Sequence, residues 1–407
     1  MTARKIHVVQ AGVSGFPFAS RAVINKQIAM AQGLKEANVE ATVVNKKGIY
    51  EPTSDTQYPA DGNYKGIDYY TASGTAYRPS GFVKRNLLKF RGMMNEIKLY
   101  KRMAKENKLD ALILDTSFFN QIIYYRILSK LFGFQLVYHY VEMRSKIDKP
   151  GKKLSERLDN YLTDSLVTKL FDAVLPISDV LKEWVEERDP ETPMFKVPVL
   201  CDYTQFDIPR EEVPEPYFLY CGTAAYSEVV DFILDAFGQL ETQDDMYLYL
   251  IISGPKPAKQ KIFDKIAKHP KSAFIRTFSN IPYEELVHKY VHASGLLIPL
   301  RPTVQDAARF PFKVGEYLAT GNPVITTNYG ELKAYFTDQH DALVADSYDV
   351  SQYVDKMKFV LEHPDEAREI GLRGKEMGYS NFHYSIQGKR MRSFLEKLCF
   401  NGANPQS

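Results

Sequence analysis

Residues 309–327 read RFPFKVGEYLATGNPVITT. Pro311 suits the first turn of a helix, because the N–H that proline lacks has no partner in the helix there. The helix is expected to run to Thr320, and Gly321 then supplies the left-handed residue with which helices often end. The β-branched residues 324–327 are typical of a buried strand. The stretch therefore predicts a helix followed directly by a strand, the repeating unit of an α/β fold.

Lys313 and Glu316 lie three residues apart on one face of this predicted helix. Pairs at this spacing are commonly solvated ion pairs worth a few tenths of a kcal/mol, which is one interpretation. Gly315 costs up to about 1 kcal/mol relative to alanine within a helix, a cost that close approach of a ligand to the backbone would explain. A helix N-terminus beside a lysine attracts phosphate, and a carboxylate can accept two hydrogen bonds from a diol. The pattern therefore favours a nucleotide site.

Strands alternate with helices along the whole chain. A proline- and acid-rich segment, DIPREEVPEP at 207–216, interrupts the alternation and is typical of a linker. The predicted strands before it are 6–10, 41–45, 111–114, 135–139 and 173–177, and those after it are 217–220, 247–252, 273–276, 295–299, 323–327 and 342–344. This order predicts two Rossmann-like domains whose parallel sheets face a central cleft, with boundaries at 1–205 and 206–380, and a final helix within 381–407 that crosses back to the first domain.

Composition narrows the class of protein. The chain has 407 residues, 44% of them hydrophobic and 25% charged, as expected of a globular protein with two domains. A net charge of +2 argues against nucleic acid as a partner. Three widely spaced cysteines match no metal or disulfide pattern, so no metal and no cofactor are expected and a reducing cytoplasm is the simplest location. No apolar run is long enough to span a bilayer, and the N-terminus shows no apolar signal region.

Gly12 and Gly15 follow the first predicted strand. A glycine loop between a strand and a helix presents backbone N–H groups to an anion. The loop is not a complete GxGxxG, and residues 45–47 (Asn-Lys-Lys) stand where dinucleotide sites carry an acidic residue, which argues against NAD. A tight turn that needs glycine is an equally good interpretation of the loop alone.

Basic or glycine-rich segments also follow four predicted strands of the second half. Ligands in parallel sheets bind at the carboxyl ends of the strands, so these segments are expected to converge on one crevice. The resulting donor-nucleotide candidates in this half are Gly222, Thr223, Lys256, Thr277, Arg309, Phe310, Lys313 and Glu316.

Five segments together resemble the family-4 retaining glycosyltransferases of GT-B fold. The resemblance covers essentially the whole chain and is sharpest from Tyr217 to Leu343. It is carried by GVSGFPFASRAVINK near the N-terminus, YCGT, SNIPYEEL, SGLLIPLR and RFPFKVGEYLATGNPVI. The resemblance implies an acceptor-side first domain, a second domain that binds a UDP- or GDP-linked sugar, and a role in bacterial surface-polysaccharide synthesis.

The same resemblance assigns roles to individual residues. It implies that Glu316 holds the nucleotide ribose, that Lys313 sits at the diphosphate, and that the loop from Gly12 to Gly15 lies under the donor phosphates and sugar. Many members of the family carry a second glutamate eight residues before the ribose glutamate, and this chain has Ala308 there. The donor sugar is therefore left open.

The chemistry expected is transfer without a catalytic metal, with backbone amides and basic residues such as Lys313 stabilising the departing diphosphate. His139 and Glu142 follow a strand of the first half and are the catalytic candidates on the acceptor side, with Asp115 as a further polar candidate. A histidine after a strand is also commonly structural.

The segment 84–108 contains nine Lys or Arg and two Glu, with apolar residues between them. Such a helix suits the surface of an anionic membrane and a lipid-linked acceptor, which would place the protein on the inner face of the cell membrane. An ordinary surface helix, with long cationic side chains covering apolar area, is the alternative.

Two other functions remain open at this point. One is a nucleotide-sugar 2-epimerase, which shares the fold but depends on several carboxylates and histidines in the cleft. The other is a non-catalytic nucleotide-sugar-binding subunit, for which Ala308 is the indication.

Overall fold

The computed structural model describes residues 4–19, 22–51, 57–116, 118–146, 153–241 and 246–400. The chain divides into two compact units. Unit 1 comprises Met1–Leu200 with Tyr384–Ser407, and unit 2 comprises Cys201–His383. Ser20 and Arg21, within the N-terminal stretch that carried the family resemblance, lie outside the described residues.

Unit 1 is built on a seven-stranded sheet. Its elements before residue 200 are β1 (His7–Ala11), α1 (Ala22–Glu36), β2 (Glu40–Asn45), β3 (Gly62–Tyr64), β4 (Ile67–Thr71), α2 (Phe82–Lys105), β5 (Ala111–Leu114), α3 (Phe119–Phe132), β6 (Gln135–Tyr140), α4 (Leu154–Ser165), α5 (Val167–Leu170), β7 (Ala173–Pro176) and α6 (Asp179–Glu186).

The strand order of this sheet is β3-β4-β2-β1-β5-β6-β7. All neighbouring pairs are parallel except β3 with β4. The chain runs outward from β1 to β2 and then returns to place β5 on the other side of β1. The carboxyl ends of β1 and β5 therefore flank the point where the winding reverses, which is where open α/β sheets bind ligands.

Unit 2 is built on a six-stranded parallel sheet of order β10-β9-β8-β11-β12-β13. Here the winding reverses between β8 and β11. The elements are β8 (Tyr217–Thr223), α7 (Ser227–Gln239), β9 (Tyr247–Ser253), α8 (Lys256–Ala267), β10 (Ile275–Phe278), α9 (Tyr283–Val291), β11 (Gly295–Ile298), α10 (Val304–Ala308), α11 (Lys313–Thr320), β12 (Val324–Thr327), β13 (Leu343–Ala345), α12 (Val350–Glu362) and α13 (Pro364–Phe382).

The helix–turn–strand predicted from residues 309–327 is present. Helix α11 ends at Thr320, Gly321 follows with φ 69° and ψ 19°, and β12 is fully buried. The parallel α/β architecture expected from the alternation is confirmed. Two strands of unit 1, β3 and β4, had no counterpart in the sequence prediction.

The last helix, α14 (Tyr384–Phe400), packs against α1 within unit 1. The two helices meet at Gly33 and Gly388, where a Cβ on either residue would overlap backbone atoms of the other helix. Arg392 donates from Nη1 to the Ala37 carbonyl oxygen at 3.0 Å, just beyond the end of α1. The close approach of two backbones therefore fixes α14 in unit 1.

Replacing Gly388 by valine should destabilise unit 1 by about 1–3 kcal/mol, because a side chain there forces the two helices apart. Chemical denaturation of the full chain measures the effect. The matched control is Lys389→Ala, at an exposed position one residue along the same helix, which should stay within about 0.5 kcal/mol of the parent. Parental stability of the valine variant would show that the helix contact does not hold α14.

Candidate nucleotide site

The candidate site of unit 2 lies where the winding of its sheet reverses. Strand β8 ends in Cys221-Gly222-Thr223, and the chain that leaves the neighbouring strand β11 forms α10 and then α11. Helix α11 begins at Lys313, so its positive end and a cationic side chain occupy the same place. Both features favour a bound anion.

Lys313 is attached to the end of β8 rather than to Glu316. Its Nζ donates a hydrogen bond to the Cys221 carbonyl oxygen and lies 4.2 Å from the centre of the Tyr220 ring. Burial, with a smaller contribution from the nearby Arg309 guanidinium, lowers the pKa of Lys313 from 10.5 to about 8. A cation held in this way, next to a second cation, gains from the approach of a phosphate.

Glu316 has a different neighbour, Tyr283 at the start of α9. The Tyr283 hydroxyl donates to Glu316 Oε1 at 3.3 Å. Burial raises the pKa of the Glu316 carboxyl from 4.5 to about 7. Within the described part of the chain, no ion pair joins Glu316 to Lys313, so the surface-pair interpretation of these two residues is wrong.

Arg309 is positioned by a buried carboxylate that the sequence analysis did not single out. Arg309 Nη2 lies 2.9 Å from Asp306 Oδ1 and the guanidinium lies 4.0 Å from the centre of the Tyr226 ring. Asp306 is fully buried and also accepts hydrogen bonds from Arg301 Nε and Nη2, each at 3.0 Å. Against the effect of burial, Arg301 and Arg309 hold the pKa of Asp306 below its ordinary value.

One N–H group of Arg309 has no hydrogen-bond acceptor among the described residues. This group is the buried Nε. A buried guanidinium N–H without an acceptor is costly, and an anionic ligand would satisfy it. The position eight residues before Glu316, Ala308, is fully buried.

The other predicted donor-site residues of unit 2 differ in their placement. Gly222 and Thr223 end β8 beside Lys313, and the Gly222 carbonyl oxygen accepts a hydrogen bond from Ser253 at 3.2 Å. The Phe310 side chain is buried against Tyr335 and Phe382 in the core. Only the backbone of Phe310 is therefore available to contact a ligand. Lys256 and Thr277 are exposed, at the start of α8 and on edge strand β10. Within the described ranges, neither forms a hydrogen bond or an ion pair with Lys313 or Glu316.

In unit 1 the glycine loop follows β1 at the reversal point of that sheet. Gly12 has φ 102°, and a Cβ there would overlap the Asp115 carbonyl oxygen beyond β5. Gly15 has φ 120° and donates its N–H to Asn45 Oδ1 at 2.9 Å. Asn45 also bonds the N–H and the carbonyl of Phe16, at 3.1 and 2.9 Å. The residue that stands in the place of the dinucleotide-binding acid therefore fixes the shape of the loop.

Asp115 and His139 form a buried cluster with Lys26. Lys26 Nζ donates to Asp115 Oδ2, and His139 Nδ1 lies 3.5 Å from the same oxygen. Burial, together with Lys26, lowers the pKa of His139 to about 4, so the imidazole is neutral. Only 3% of His139 is exposed, and a direct contact with substrate would require it to be uncovered. Glu142 is partly exposed, with Arg144 Nη2 at 4.0 Å.

Two residues of the unit 2 site were not among the sequence candidates. Tyr283 and Asp306 act on Glu316 and Arg309 through contacts that only the fold creates. A sequence signal did exist for each of them, since Tyr283 lies in SNIPYEEL and two arginines flank Asp306 at positions 301 and 309. No group of three or more His, Cys, Asp and Glu in the described ranges is placed to hold a metal ion.

Comparison with known proteins places this geometry in a class. Residues 204–377 match the family model for glycosyl transferases group 1. Sucrose-phosphate synthase from Thermosynechococcus elongatus superposes with a TM-score of 0.72 at 14% identity, over 98% of this chain and 100% of that one. A glycosyltransferase from Rickettsia africae gives 0.69 at 14% identity, over 98% and 99%. Anabaena HepE in complex with UDP-glucose gives 0.67 at 10% identity, over 96% and 100%.

The chain therefore has the GT-B fold, and the family match over residues 204–377 supports a glycosyltransferase. A search of curated proteins by sequence finds no match. The matched residues include the whole of the candidate nucleotide site, from β8 to Glu316.

Nucleoside diphosphate affinity should follow a bell-shaped pH profile with its maximum between about pH 7 and 8. We expect the ribose hydroxyls to donate to the ionised Glu316 carboxylate, which forms as pH rises through about 7. We expect the diphosphate to need the Lys313 ammonium, which is lost as pH rises through about 8. Calorimetric titration with UDP and GDP from pH 5.5 to 9.5 measures the profile.

The Glu316→Gln variant should lose the acid limb of this profile and keep the alkaline limb. Tyr283→Phe should move the acid limb to higher pH, because the tyrosine hydrogen bond opposes the rise in the Glu316 pKa. The control is Glu284→Gln, an exposed carboxylate beside Tyr283, which should leave both limbs in place. A glutamine variant with the parental acid limb would assign that limb to another group.

Proposed function

We propose that the protein is a retaining glycosyltransferase that moves a sugar from a UDP- or GDP-linked donor to a glycan or lipid-linked acceptor in bacterial polysaccharide synthesis. The observation that carries the proposal is the separation of Lys313 from Glu316. The ammonium is held at the end of β8, and the carboxyl accepts only from a neutral tyrosine among the described residues. One group is thus available to a diphosphate and the other to a ribose.

The transfer has a simple balance of bonds. The bond between sugar C1 and the β-phosphate oxygen breaks, and the acceptor oxygen bonds C1 on the same face of the sugar. The acceptor proton passes to the departing phosphate oxygen, and a nucleoside diphosphate leaves. Negative charge grows on that leaving group, and preorganised cations stabilise it most effectively in a site that is already partly desolvated.

Lys313 and Arg309 supply such cations in the proposed mechanism. Both are fixed by unit 2 before any ligand binds, through the Cys221 carbonyl and through Asp306. Because these two side chains and the N-terminus of α11 supply positive charge to the leaving diphosphate, the proposed reaction uses no metal. Activity that EDTA abolishes, and that a divalent ion restores, would contradict this part of the proposal.

The comparisons support a nucleotide-sugar donor. Anabaena HepE is described in complex with UDP and with UDP-glucose, and the family model over residues 204–377 is one of glycosyl transferases. On the acceptor side, Glu142 and His139 remain the proposed catalytic residues. Glu142 is partly exposed, whereas His139 is held by Asp115 below the surface.

A non-catalytic nucleotide-sugar-binding subunit is the second candidate, and one observation favours it. Ala308 provides no carboxylate, and Asp306, two residues before it, is occupied by Arg301 and Arg309. Such a subunit would bind the nucleotide and transfer nothing. The epimerase alternative would instead change the configuration of the donor sugar without an acceptor, which proton NMR of the donor detects.

Lys313→Ala should weaken UDP or GDP binding about ten- to over a hundredfold, since a charge-assisted hydrogen bond is worth roughly 1.5–3 kcal/mol. Thermal shift measures this, because a nucleotide at 100 times its dissociation constant adds about 2.7 kcal/mol to the stability of the parent. Lys333→Ala, an exposed lysine of unit 2, is the control.

Transfer itself is tested by incubating the protein with UDP- and GDP-sugars and a bacterial lipid extract. Mass spectrometry identifies the product, and NMR of its anomeric proton should show the configuration of the donor. Inversion would reject the retaining mechanism. Binding without any product would favour the non-catalytic subunit, and no thermal shift with either nucleotide would reject the nucleotide site altogether.

Helix α2 supports a further part of the proposal, attachment to an anionic membrane surface. Between Phe82 and Met94 the helix exposes five large apolar residues, and Leu87 and Phe90 are 68% and 59% exposed. The five residues are Phe82, Val83, Leu87, Phe90 and Met94. Lys84 and Arg91 flank them on the helix surface. Exposed apolar residues beside cations suit the boundary between anionic headgroups and acyl chains. No helix of the described ranges is long and apolar enough to cross a bilayer.

Replacing Leu87 and Phe90 together by serine should reduce binding to vesicles that contain anionic phospholipid at least about tenfold, because each buried apolar side chain contributes roughly 1.5–3 kcal/mol. Vesicle sedimentation at low and high salt measures the loss. The control pair is Ile127→Ser with Leu131→Ser, two exposed apolar residues of α3. Equal loss in both pairs, or none in the first, would contradict docking through α2.

A further inference from the structure

Unit 1 contains a pocket of about 890 Å³, and apart from the glycine loop its lining lies outside the expected donor site. One wall is the glycine loop after β1, a second is the segment that follows β2, and a third is the first half of α2. The lining residues are Gly12, Val13, Ser14, Lys46, Lys47, Gly48, Ile49, Arg78, Pro79, Phe82, Arg85, Asn86, Leu88, Lys89, Phe118, Asn120 and Gln121. The pocket is large enough for a substrate of several chemical groups.

The charged residues of this lining that the structure describes all have the same sign. Among them five are cationic, namely Lys46, Lys47, Arg78, Arg85 and Lys89, and none is acidic. Within the described ranges, none of the five forms an ion pair with a carboxylate. Burial and the positive charges of Lys89, Arg78 and Lys46 lower the pKa of Lys47. The cations thus repel one another, and a bound anion would relieve that repulsion.

Contacts below the pocket hold part of this charge in place. Lys46 Nζ lies 4.6 Å from the centre of the Tyr124 ring. Tyr124 and Tyr125 in turn donate to the two oxygens of the buried Glu96, at 3.1 and 2.6 Å. On the opposite wall, Arg85 Nε donates to the Gly81 carbonyl oxygen at 3.1 Å. One cation on each of two walls, Lys46 and Arg85, is therefore held by a contact with the protein.

The rim of the pocket is apolar. Phe82 of α2 and Phe118 before α3 are 75% and 58% exposed and both line the pocket. A ligand with a strongly anionic group inside and an apolar or sugar group at the rim would match both parts. Phosphate fits the inner part best, because arginine and lysine bind its oxygens with charge-assisted hydrogen bonds.

We propose that this pocket binds the phosphate or diphosphate of a phosphorylated acceptor, held by Lys47, Arg78 and Lys89. The inference rests on the proposed function, because it assigns the acceptor of that same transfer. A soluble sugar phosphate and a lipid-linked phosphate carry the same recognised chemistry, and their affinities distinguish the two sources.

The test is calorimetric titration of the full chain with three probes: geranyl phosphate, glucose 6-phosphate and geraniol. The pocket variant is Arg78→Gln with Lys89→Gln. The matched control is Lys130→Gln with Lys169→Gln, two exposed lysines of unit 1 outside the pocket. The pocket variant should bind the phosphorylated probe at least about tenfold more weakly than the parent, and the control pair should bind it as the parent does.

Lys313→Ala separates this site from the nucleotide site. Phosphate binding that survives Lys313→Ala and is lost in the pocket variant supports the proposal. Binding lost in Lys313→Ala and kept in the pocket variant, or equal affinity for geraniol and geranyl phosphate, overturns it. Stronger binding of geranyl phosphate indicates a lipid-linked acceptor, and stronger binding of glucose 6-phosphate a soluble one.

UDP and GDP titrations of the same variants keep the two hypotheses apart. The pocket variant should bind the nucleotide with parental affinity, because its substitutions change neither the unit 2 candidates nor the glycine loop of unit 1. If neither nucleotide binds the parent while geranyl phosphate does, the donor assignment fails and the phosphate pocket stands. If the nucleotide binds and the phosphate probes do not, the pocket assignment fails and the donor site stands.

Discussion

The hydrogen bond from Lys313 Nζ to the Cys221 carbonyl oxygen connects helix α11 to the end of β8 across the reversal point of the unit 2 sheet. Tyr317, one turn further along α11, accepts from the Cys221 N–H at 3.0 Å. Both the carbonyl oxygen and the N–H of Cys221 are thus hydrogen-bonded to side chains of α11. Because the ammonium is bonded to this carbonyl oxygen and forms no ion pair with Glu316, the carboxyl is left to the ribose in the proposed complex.

The two units present different electrostatic environments at equivalent places in their sheets. In unit 2, cations and carboxyls are buried and matched, as Asp306 with its two arginines shows. In unit 1, cations line a large pocket that contains no acidic residue among those the structure describes. In unit 2, burial lowers the pKa of Lys313 and raises the pKa of Glu316. In unit 1, burial and repulsion by neighbouring cations lower the pKa of Lys47. The proposed division into nucleotide and acceptor phosphate follows from these two environments.

The sequence was enough to predict the α/β class, most strands and the helix that carries Lys313 and Glu316, because those features depend on local periodicity and on Gly321. It missed β3, a strand of three residues at the edge of the sheet, and its neighbour β4. It could not show that Phe310 is buried or that Tyr283 reaches Glu316, because both facts depend on packing between distant segments. The unit 1 pocket was missed for the same reason, since its cations come from three separate stretches.

A crystal structure of the chain with UDP or GDP bound tests the central claim most directly. The account predicts both ribose hydroxyls within hydrogen-bonding distance of the Glu316 carboxylate, and the diphosphate beside Lys313 and Arg309. A nucleotide bound instead in the cationic pocket of unit 1, with Glu316 still bonded only to Tyr283, would contradict it.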